Sequence, residues 1–294
     1  KVKNGYRETI PTNCNQSFAN IIKQCWDGNP DNRPTASQIL IQLQSIENVV
    51  DSNNNNNNID YMKDDTINHS DLKYNRKLGN NQSEVYEGKW LDSIVAIKDL
   101  QNILLNKEEI RLLKECDHPN IVKIYGCCVN PKHECSIIME YMKNGSLYDF
   151  IQSNNEIALN LILNIAIDIV NGLVHLHDTK HVIHRNLKSM NVLLDDNNKA
   201  KLTDYGLPKS NNQMSTISGK IIESYAYVAP ELIGGKIIHT YKSDIYALSI
   251  ILWEIITRQI PYKEIENKFA ILSKVKNGYR ETIPTNCNQS FASI

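Results

Sequence analysis

The chain has 294 residues, 41% of them apolar and 22% charged, the composition of a folded globular protein with enough apolar side chains for a sizeable core. Its 32 lysines and arginines nearly cancel its 33 aspartates and glutamates, so no basic field points to nucleic acid, and partners must be argued from sites. The seven cysteines are odd in number and never spaced C-x-x-C, which indicates reduced thiols in a cytoplasmic protein rather than a disulfide framework or a zinc site. No apolar run reaches the ~18 to 20 residues of a membrane span, and the longest candidate, SIILWEII, runs into charge.

The stretch KVKNGYRETIPTNCNQSFA at Lys1–Ala19 returns unchanged at Lys274–Ala292, an offset of 273 residues (274 minus 1). Short repeats that stack into solenoids have periods of about 20 to 50 residues, so a period this long indicates a duplicated whole domain. Residues 1–48 then read as the end of a preceding copy. Residues 49–70, with their run of six asparagines and no apolar periodicity, read as a linker.

After the linker, LKYNRKLG, SEVYEGKW and SIVAIKDL are short β-rich runs separated by turn residues. A helical pattern over Asn106–Glu115 follows, then strands around Ile121–Val129 and Ser136–Tyr141. From Ser146 helices dominate; in ALNLILNIAIDIVNGLVHLH, Leu161, Ile165, Ile169 and Leu173 recur every four residues, with Asn164, Asp168 and Asn171 on another side. The expected fold is α+β and bilobal: a small antiparallel sheet with one helix at 71–142, then a mainly helical lobe at 143–294.

Seven motifs lie along these lobes: VAIK at Val95–Lys98, KEEIRLLKECDHPNIV with Glu109, IIMEYMKNGSL, HRNLKSMN at His184–Asn191, TDYGL at Thr203–Leu207, YAYVAPEL, and KSDIYALSIILWE with Asp244. In this order and spacing they resemble the protein kinase family, tyrosine-kinase-like group, over nearly the whole chain. The resemblance implies ATP and Mg²⁺ as cofactors and a protein substrate or regulated protein partner. It implies that Lys98 holds the α and β phosphates and pairs with Glu109, and that Asn191 and Asp204 hold the metal. Gly79 would belong to the phosphate loop, Val85, Ala96 and Leu193 would enclose adenine, and the backbone at Glu140 and Met142 would hydrogen-bond it, with Met139 at the back. Leu113, His184 and Tyr205 would stack between the lobes, and Asp244 would anchor the catalytic loop. Lys188 is the serine/threonine-type residue, as is the hydroxyl of Ser224. Arg185 resembles the arginine that receives a phosphorylated loop, with Ser215, Thr216 and Ser218 as acceptors.

Three departures from the family pattern matter. LGNNQSEVYEG keeps only Gly79 of the glycine loop, with Asn81 and Ser83 near the other glycine positions. Lys98 and Glu109 stand closer in sequence than the family leads one to expect. Third, position 186, where the family has the aspartate that accepts the substrate's proton, is Asn186, nearly isosteric but uncharged and unable to take a proton. The expectation is a nucleotide-binding pseudokinase. The alternatives are a slow Ser/Thr kinase, or a kinase-shaped interaction module that binds no nucleotide. The lobe at 143–294 lacks the family's last two helices, and residues 18–46 of the preceding copy carry that sequence, with Arg33 as the expected partner of Glu231. This segment is expected to fold back and complete the lobe as a circular permutant.

Overall fold

Strands that follow one another through short turns satisfy their backbone groups by pairing as antiparallel neighbours. The computed structural model describes residues 16–47, 67–78, 84–100, 105, 107–130, 135–153, 157–206, 225–234, 238–265 and 267–281. In it β1 (Leu72–Leu78), β2 (Val85–Trp90) and β3 (Ser93–Leu100) form a meander, joined by β4 (Ile124–Val129) and β5 (Cys135–Glu140). The five antiparallel strands run in the order β1-β2-β3-β5-β4. Leu91 and Asp92 turn the β2–β3 hairpin with φ of 47° and 65°, the twist that a two-residue hairpin requires.

Alternation along the strands sorts this sheet into two faces. Val95, Ile97 and Ile138 join Leu72 and Cys128 in a small outer cluster. Ala96, Leu100, Cys135, Ile137 and Met139 lie in the main core with Ile110 and Leu113 of α3 (Lys107–Glu115). The period of two therefore sends Lys98, between Ala96 and Leu100, to the inner face as well. The strand expected from Ile121 starts instead at Ile124; Ile121 forms a parallel bridge with Leu202.

The second lobe holds α4 (Leu147–Ser153), α5 (Leu159–Val174), α6 (Tyr241–Thr257) and α7 (Lys268–Lys276), with a short hairpin of β6 (Val192–Leu194) and β7 (Ala200–Leu202). On α5, Ile165, Ile169 and Leu173 are fully buried and Asn164 is exposed, while Leu161 is half-buried. Gly172 lets this helix approach closely, since a Cβ there would stand 2.7 Å from the Asn120 carbonyl oxygen and 2.9 Å from Leu202. The expectation that nothing is long enough to span a membrane needs correcting. The continuous helical stretch Leu159–Thr179 has the length and apolar composition to do so, yet half of it is buried inside the protein. Its apolar residues serve the core because α5 carries neighbours on several sides. Most of α6 is equally enclosed, every residue from Ser243 to Ile256 being buried.

Two helices precede the sheet: α1 (Gln16–Cys25), which packs on α6, and α2 (Ala36–Glu47), which packs on α5. Phe18, Ile21, Ile22, Ile39 and Leu43 are fully buried in the same apolar cluster as the helical lobe, each such side chain contributing about 1.5 to 3 kcal/mol. Between the helices, Asn29 caps a short turn at Pro30–Asn32 and delivers Arg33 into the protein, with no exposed side-chain surface. Its Nη1 and Nη2 donate to Glu231 Oε1 and Oε2, both at 2.8 Å, while Nη1 also reaches the Lys242 carbonyl at 2.9 Å and Nε the Asp27 carbonyl at 2.8 Å.

A planar fork is needed to hold both carboxylate oxygens, and removing one partner leaves the other charge unanswered. Arg33→Ala is therefore expected to lower unfolding stability by about 3 to 5 kcal/mol in chemical denaturation, with Arg33→Lys recovering only part of it. An unchanged denaturation midpoint for Arg33→Ala would mean that this segment is not seated in solution.

Candidate functional site

Lys98 arrives on the inner face of β3 and its Nζ donates to Asp204 Oδ1 at 2.5 Å. The expected pairing with Glu109 is not the one the lysine makes. Residues 101–106 alone join β3 to α3, which places Glu109 in the first turn of that helix, half-buried, while Asp204 takes the ammonium. Burial by itself would raise the Asp204 carboxyl, but the Lys98 ammonium beside it, with Lys188 and His184, holds it below the usual carboxylate range. The aspartate is ionised at neutral pH.

The loop opposite is shaped by one carboxylate. Asp244, near the start of the enclosed α6, accepts from the His184 N–H at 2.7 Å and the Arg185 N–H at 3.0 Å, and meets His177 Nε2 at 2.9 Å. Two successive N–H groups can converge on one carboxylate only if the chain bends, and Arg185 takes φ of 66°. Asp204 and Gly206 are also left-handed, at 63° and 64°. Only Gly206 adopts this conformation without cost.

Beyond the bend, the Asn186 carbonyl accepts from Asn191 Nδ2 at 2.7 Å, and the Asn191 carbonyl accepts from the Thr203 N–H at 3.0 Å. Asn186, Asn191 and Thr203 are thus linked through successive hydrogen bonds, and Asp204 follows Thr203 directly in the chain. With its amide nitrogen committed, Asn191 offers its side-chain oxygen, and Asp204 offers a carboxylate oxygen beyond the one on Lys98. Two hard oxygen donors of this kind fit Mg²⁺ completed by phosphate and water. Among the described residues no cluster of three His, Cys, Asp or Glu forms an all-protein metal cage.

Of the residues expected around adenine, several are neighbours across the sheet. Ala96 is opposite Met139 across β3 and β5, both buried, and Val85 is opposite Lys98 across β2 and β3. Val85 and Leu193 are half-buried and Met142 is buried. The Glu140 carboxylate is tied to Lys201 Nζ at 2.6 Å and accepts from the Lys123 N–H at 3.3 Å, which fixes the strand end that leads from one lobe to the other. Between the lobes His184 meets the Tyr205 ring edge-on at 6.4 Å, and the Tyr205 hydroxyl donates to the Leu113 carbonyl at 3.0 Å. Lys188 is half-buried beside this site. Gly79, Asn81, Ser83, Ser215, Thr216, Ser218 and Ser224 lie outside the described residues.

A buried network that the sequence did not announce supports the loop from below. Ser189 Oγ lies 3.0 Å from the Tyr227 hydroxyl and donates to Glu254 Oε1 at 3.1 Å, while Tyr227 donates to Glu254 Oε2 at 2.5 Å. Burial, then the neighbouring Glu254, pushes the Tyr227 phenol well above its ordinary range. The available signal was Glu254 itself, a single charge inside the apolar run SIILWEII.

Replacing Asp244 by Asn keeps the shape but turns one acceptor into a donor facing a backbone N–H. Asp244→Asn should cost about 2 to 4 kcal/mol in denaturation, the sum of a charged hydrogen bond and an unsatisfied buried group. Acid should act through His118. Its Nδ1 accepts from the Asn120 N–H at 3.1 Å, so the ring is neutral as folded, and it stacks on His175 at 4.7 Å. Burial, then His175 and Lys199, push its pKa down from 6.5 to about 4, against a smaller opposing pull from Asp117. The unfolded chain thus binds the extra proton first, and this contribution to stability, complete above pH 6.5, is lost as pH falls toward 4. Thermal midpoints measured from pH 7 to 5 should fall less steeply in His118→Gln than in the unaltered protein.

Comparison with known proteins agrees with this arrangement. The profile of the family described as "Protein tyrosine and serine/threonine kinase" matches residues 1–43 and 72–294. Similar proteins include the serine/threonine-protein kinase STY46 of Arabidopsis thaliana, 31% identical over 78% of this chain and 40% of its own length. The probable serine/threonine-protein kinase drkA of Dictyostelium discoideum is 36% identical over 73% of this chain and 34% of its own. The dual specificity protein kinase pyk3 of the same organism is 29% identical over 98% of this chain and 23% of its own. The chain therefore spans well under half the length of these relatives. With both lobes, their order and most of its sequence in agreement, the chain belongs to the protein tyrosine and serine/threonine kinase family.

Proposed function

We propose that this chain is a nucleotide-binding pseudokinase: it holds ATP with Mg²⁺ between its lobes and signals by conformation or through a protein partner, with phosphoryl transfer slow or absent. The observation that carries the reading is the amide of Asn186 at the position where the family has its proton acceptor, beside a retained Lys98, Asn191 and Asp204. When bound, ATP would supply the phosphoryl group and Mg²⁺ would neutralise its developing charge. Lys98 offers the phosphates a cation, Asn191 and Asp204 offer the metal two oxygens, and Val85, Ala96, Met139 and Leu193 offer adenine an apolar slot. Asn186 can orient a hydroxyl but cannot remove its proton. The absence of a base removes about 10² to 10⁴-fold of rate.

The relatives named as kinases, together with Lys188, favour a second reading, a slow Ser/Thr kinase acting on protein hydroxyls. Phosphoryl transfer has a loose transition state that depends on positioning more than on base catalysis. The cytoplasmic setting belongs to the same proposal, and the five described cysteines, all free thiols, accord with it.

The two readings separate in one experiment that measures ATP binding and γ-phosphate transfer for the unaltered chain, Asn186→Asp and Lys98→Met. The pseudokinase reading expects binding without appreciable transfer in the unaltered protein and a gain of about 10² to 10⁴-fold in Asn186→Asp. Transfer by the unaltered protein that Lys98→Met abolishes, even below the usual turnover of about 1 to 100 s⁻¹, would establish the slow kinase instead. If the thermal midpoint does not respond to ATP with Mg²⁺, the chain binds no nucleotide and both readings fail.

A further inference from the structure

The stretch from Glu140 to Ser146, which leads from the sheet lobe to the helical lobe, is held at its two ends by different means. At the far end the Asn144 N–H donates to the Leu194 carbonyl at 3.1 Å, the Leu194 N–H donates to the Gly145 carbonyl at 2.9 Å, and Ser146 forms a bridge with Leu193. Backbone pairing with β6 fastens that end whatever side chains it carries. At the near end a side chain reaches across instead: Lys201 Nζ lies 2.6 Å from Glu140 Oε1. Tyr141, the next residue, is tied back to the sheet lobe by Arg76, whose Nη2 donates to the tyrosine hydroxyl at 3.2 Å.

The short hairpin explains why Lys201 points there. Leu193 of β6 and Lys201 of β7 stand opposite one another, while Val192, Leu194, Ala200 and Leu202 on either side of them are fully buried in the core. The period of two therefore puts Leu193 and Lys201 together on the other face, the one where Leu193 is expected to meet adenine. The ion pair is not an open surface pair, since only 15% of the Lys201 side chain and 25% of the Glu140 side chain are exposed. Glu140 is also held within its own lobe. Its N–H donates to the Lys123 carbonyl at 2.9 Å, and its Oε2 accepts from the Lys123 N–H at 3.3 Å. A carboxylate engaged on both oxygens fixes the strand end that carries it.

We propose that Lys201 is a positioning residue for the nucleotide base: through the Glu140 carboxylate it sets where the first residue of this stretch stands, and so sets affinity for adenine without touching it. The proposal rests on the reading of the cleft as an ATP site, in which the backbone at Glu140 and Met142 engages the base. Phosphate and metal contacts belong to Lys98, Asn191 and Asp204 and do not depend on this pair, so the effect is confined to the base.

The test compares dissociation constants for ATP and GTP, each with Mg²⁺, in the unaltered full chain, Lys201→Met and Lys201→Arg. GTP shares the phosphates, ribose and metal but carries a carbonyl oxygen where adenine carries its amino donor. The unaltered chain should prefer ATP. Lys201→Met should weaken ATP about tenfold, an ordinary size for coupling between groups that do not both touch the ligand, and leave GTP unchanged. Lys201→Arg should recover most of the loss, because a guanidinium can hold the same carboxylate. Equal losses for ATP and GTP would make Lys201 a support of the fold alone and overturn the proposal, as would an undiminished affinity for ATP or an unaltered chain that does not distinguish the two nucleotides. An unaltered chain that binds neither overturns the reading of the site, and this proposal with it. If Lys201→Met does not fold, Glu140→Gln decides the matter: it keeps an oxygen for the Lys123 N–H, loses the charge that Lys201 answers, and must show the same split between ATP and GTP.

Discussion

A carboxylate buried in a helix-lined interior is stable only if donors answer both of its oxygens. Asp244 is such a group, with 3% of its side chain exposed on a helix that is buried for nearly its whole length. The donors it collects are the backbone N–H groups of His184 and Arg185 and the ring of His177. Satisfying the charge therefore fixes the path of the loop. Arg185 accepts a left-handed backbone because the alternative leaves a buried anion short of a donor, and strain of order 1 to 3 kcal/mol is the smaller cost. Asn186, Lys188 and Asn191 follow along that path, so the positions that face chemistry are set by a residue that takes no part in it.

The same logic joins the two lobes. Asp204 lies beyond β7 with a left-handed backbone, and its charge is answered from the other lobe by Lys98. Tyr205 and Leu113 form a second link beside it, and Glu140 with Lys201 a third at the strand end. Two of these links set a charged group of the sheet lobe against one of the helical lobe, and the other sets the Tyr205 hydroxyl against a backbone carbonyl of the sheet lobe. A change in how Lys98 is held is therefore also a change in how the lobes are held together. On the proposed reading, a ligand with phosphates would compete with Asp204 for the same ammonium and so would couple nucleotide occupancy to lobe geometry.

Local features were legible in the sequence wherever one physical signal dominated. Alternation in SIVAIKDL gives β3 and puts Lys98 on the inner face; the four-residue recurrence in α5 gives a helix whose buried stripe includes Ile165, Ile169 and Leu173. Asp204, Asn191 and Asp244 were visible through the motifs that hold them. The partner of Lys98 was legible only in part: its short separation from Glu109 already set that pair apart from the family pattern, but which carboxylate takes the ammonium depends on where the helix begins in space. Ser189, Tyr227 and Glu254 were missed for a related reason: three unremarkable residues, far apart in the chain, become a network only after α6 is buried. The apolar span over Leu159–Thr179 went unnoticed because its asparagines and histidines interrupt the run without lowering its average hydropathy enough to matter.

Why an amide at position 186 is compatible with so much retained architecture follows from charge. The site already carries Asp204 as an anion, with Asp244 buried just behind the loop, and a third carboxylate would have to be desolvated beside them. An Asn side chain has nearly the same shape, requires no counter-charge and leaves the backbone hydrogen bond from Asn191 in place. On the proposed reading, an amide in place of a carboxylate avoids like-charge repulsion while keeping the frame in which a nucleotide and a metal would be held. On the same reading, what is missing is the one group whose value lies in accepting a proton. On the proposed reading, selection for binding alone would tolerate this exchange, because an active site gives up stability for a chemistry that a binding site does not perform. Arg185 keeps its left-handed backbone because the Asp244 carboxylate collects the His184 and Arg185 N–H groups there.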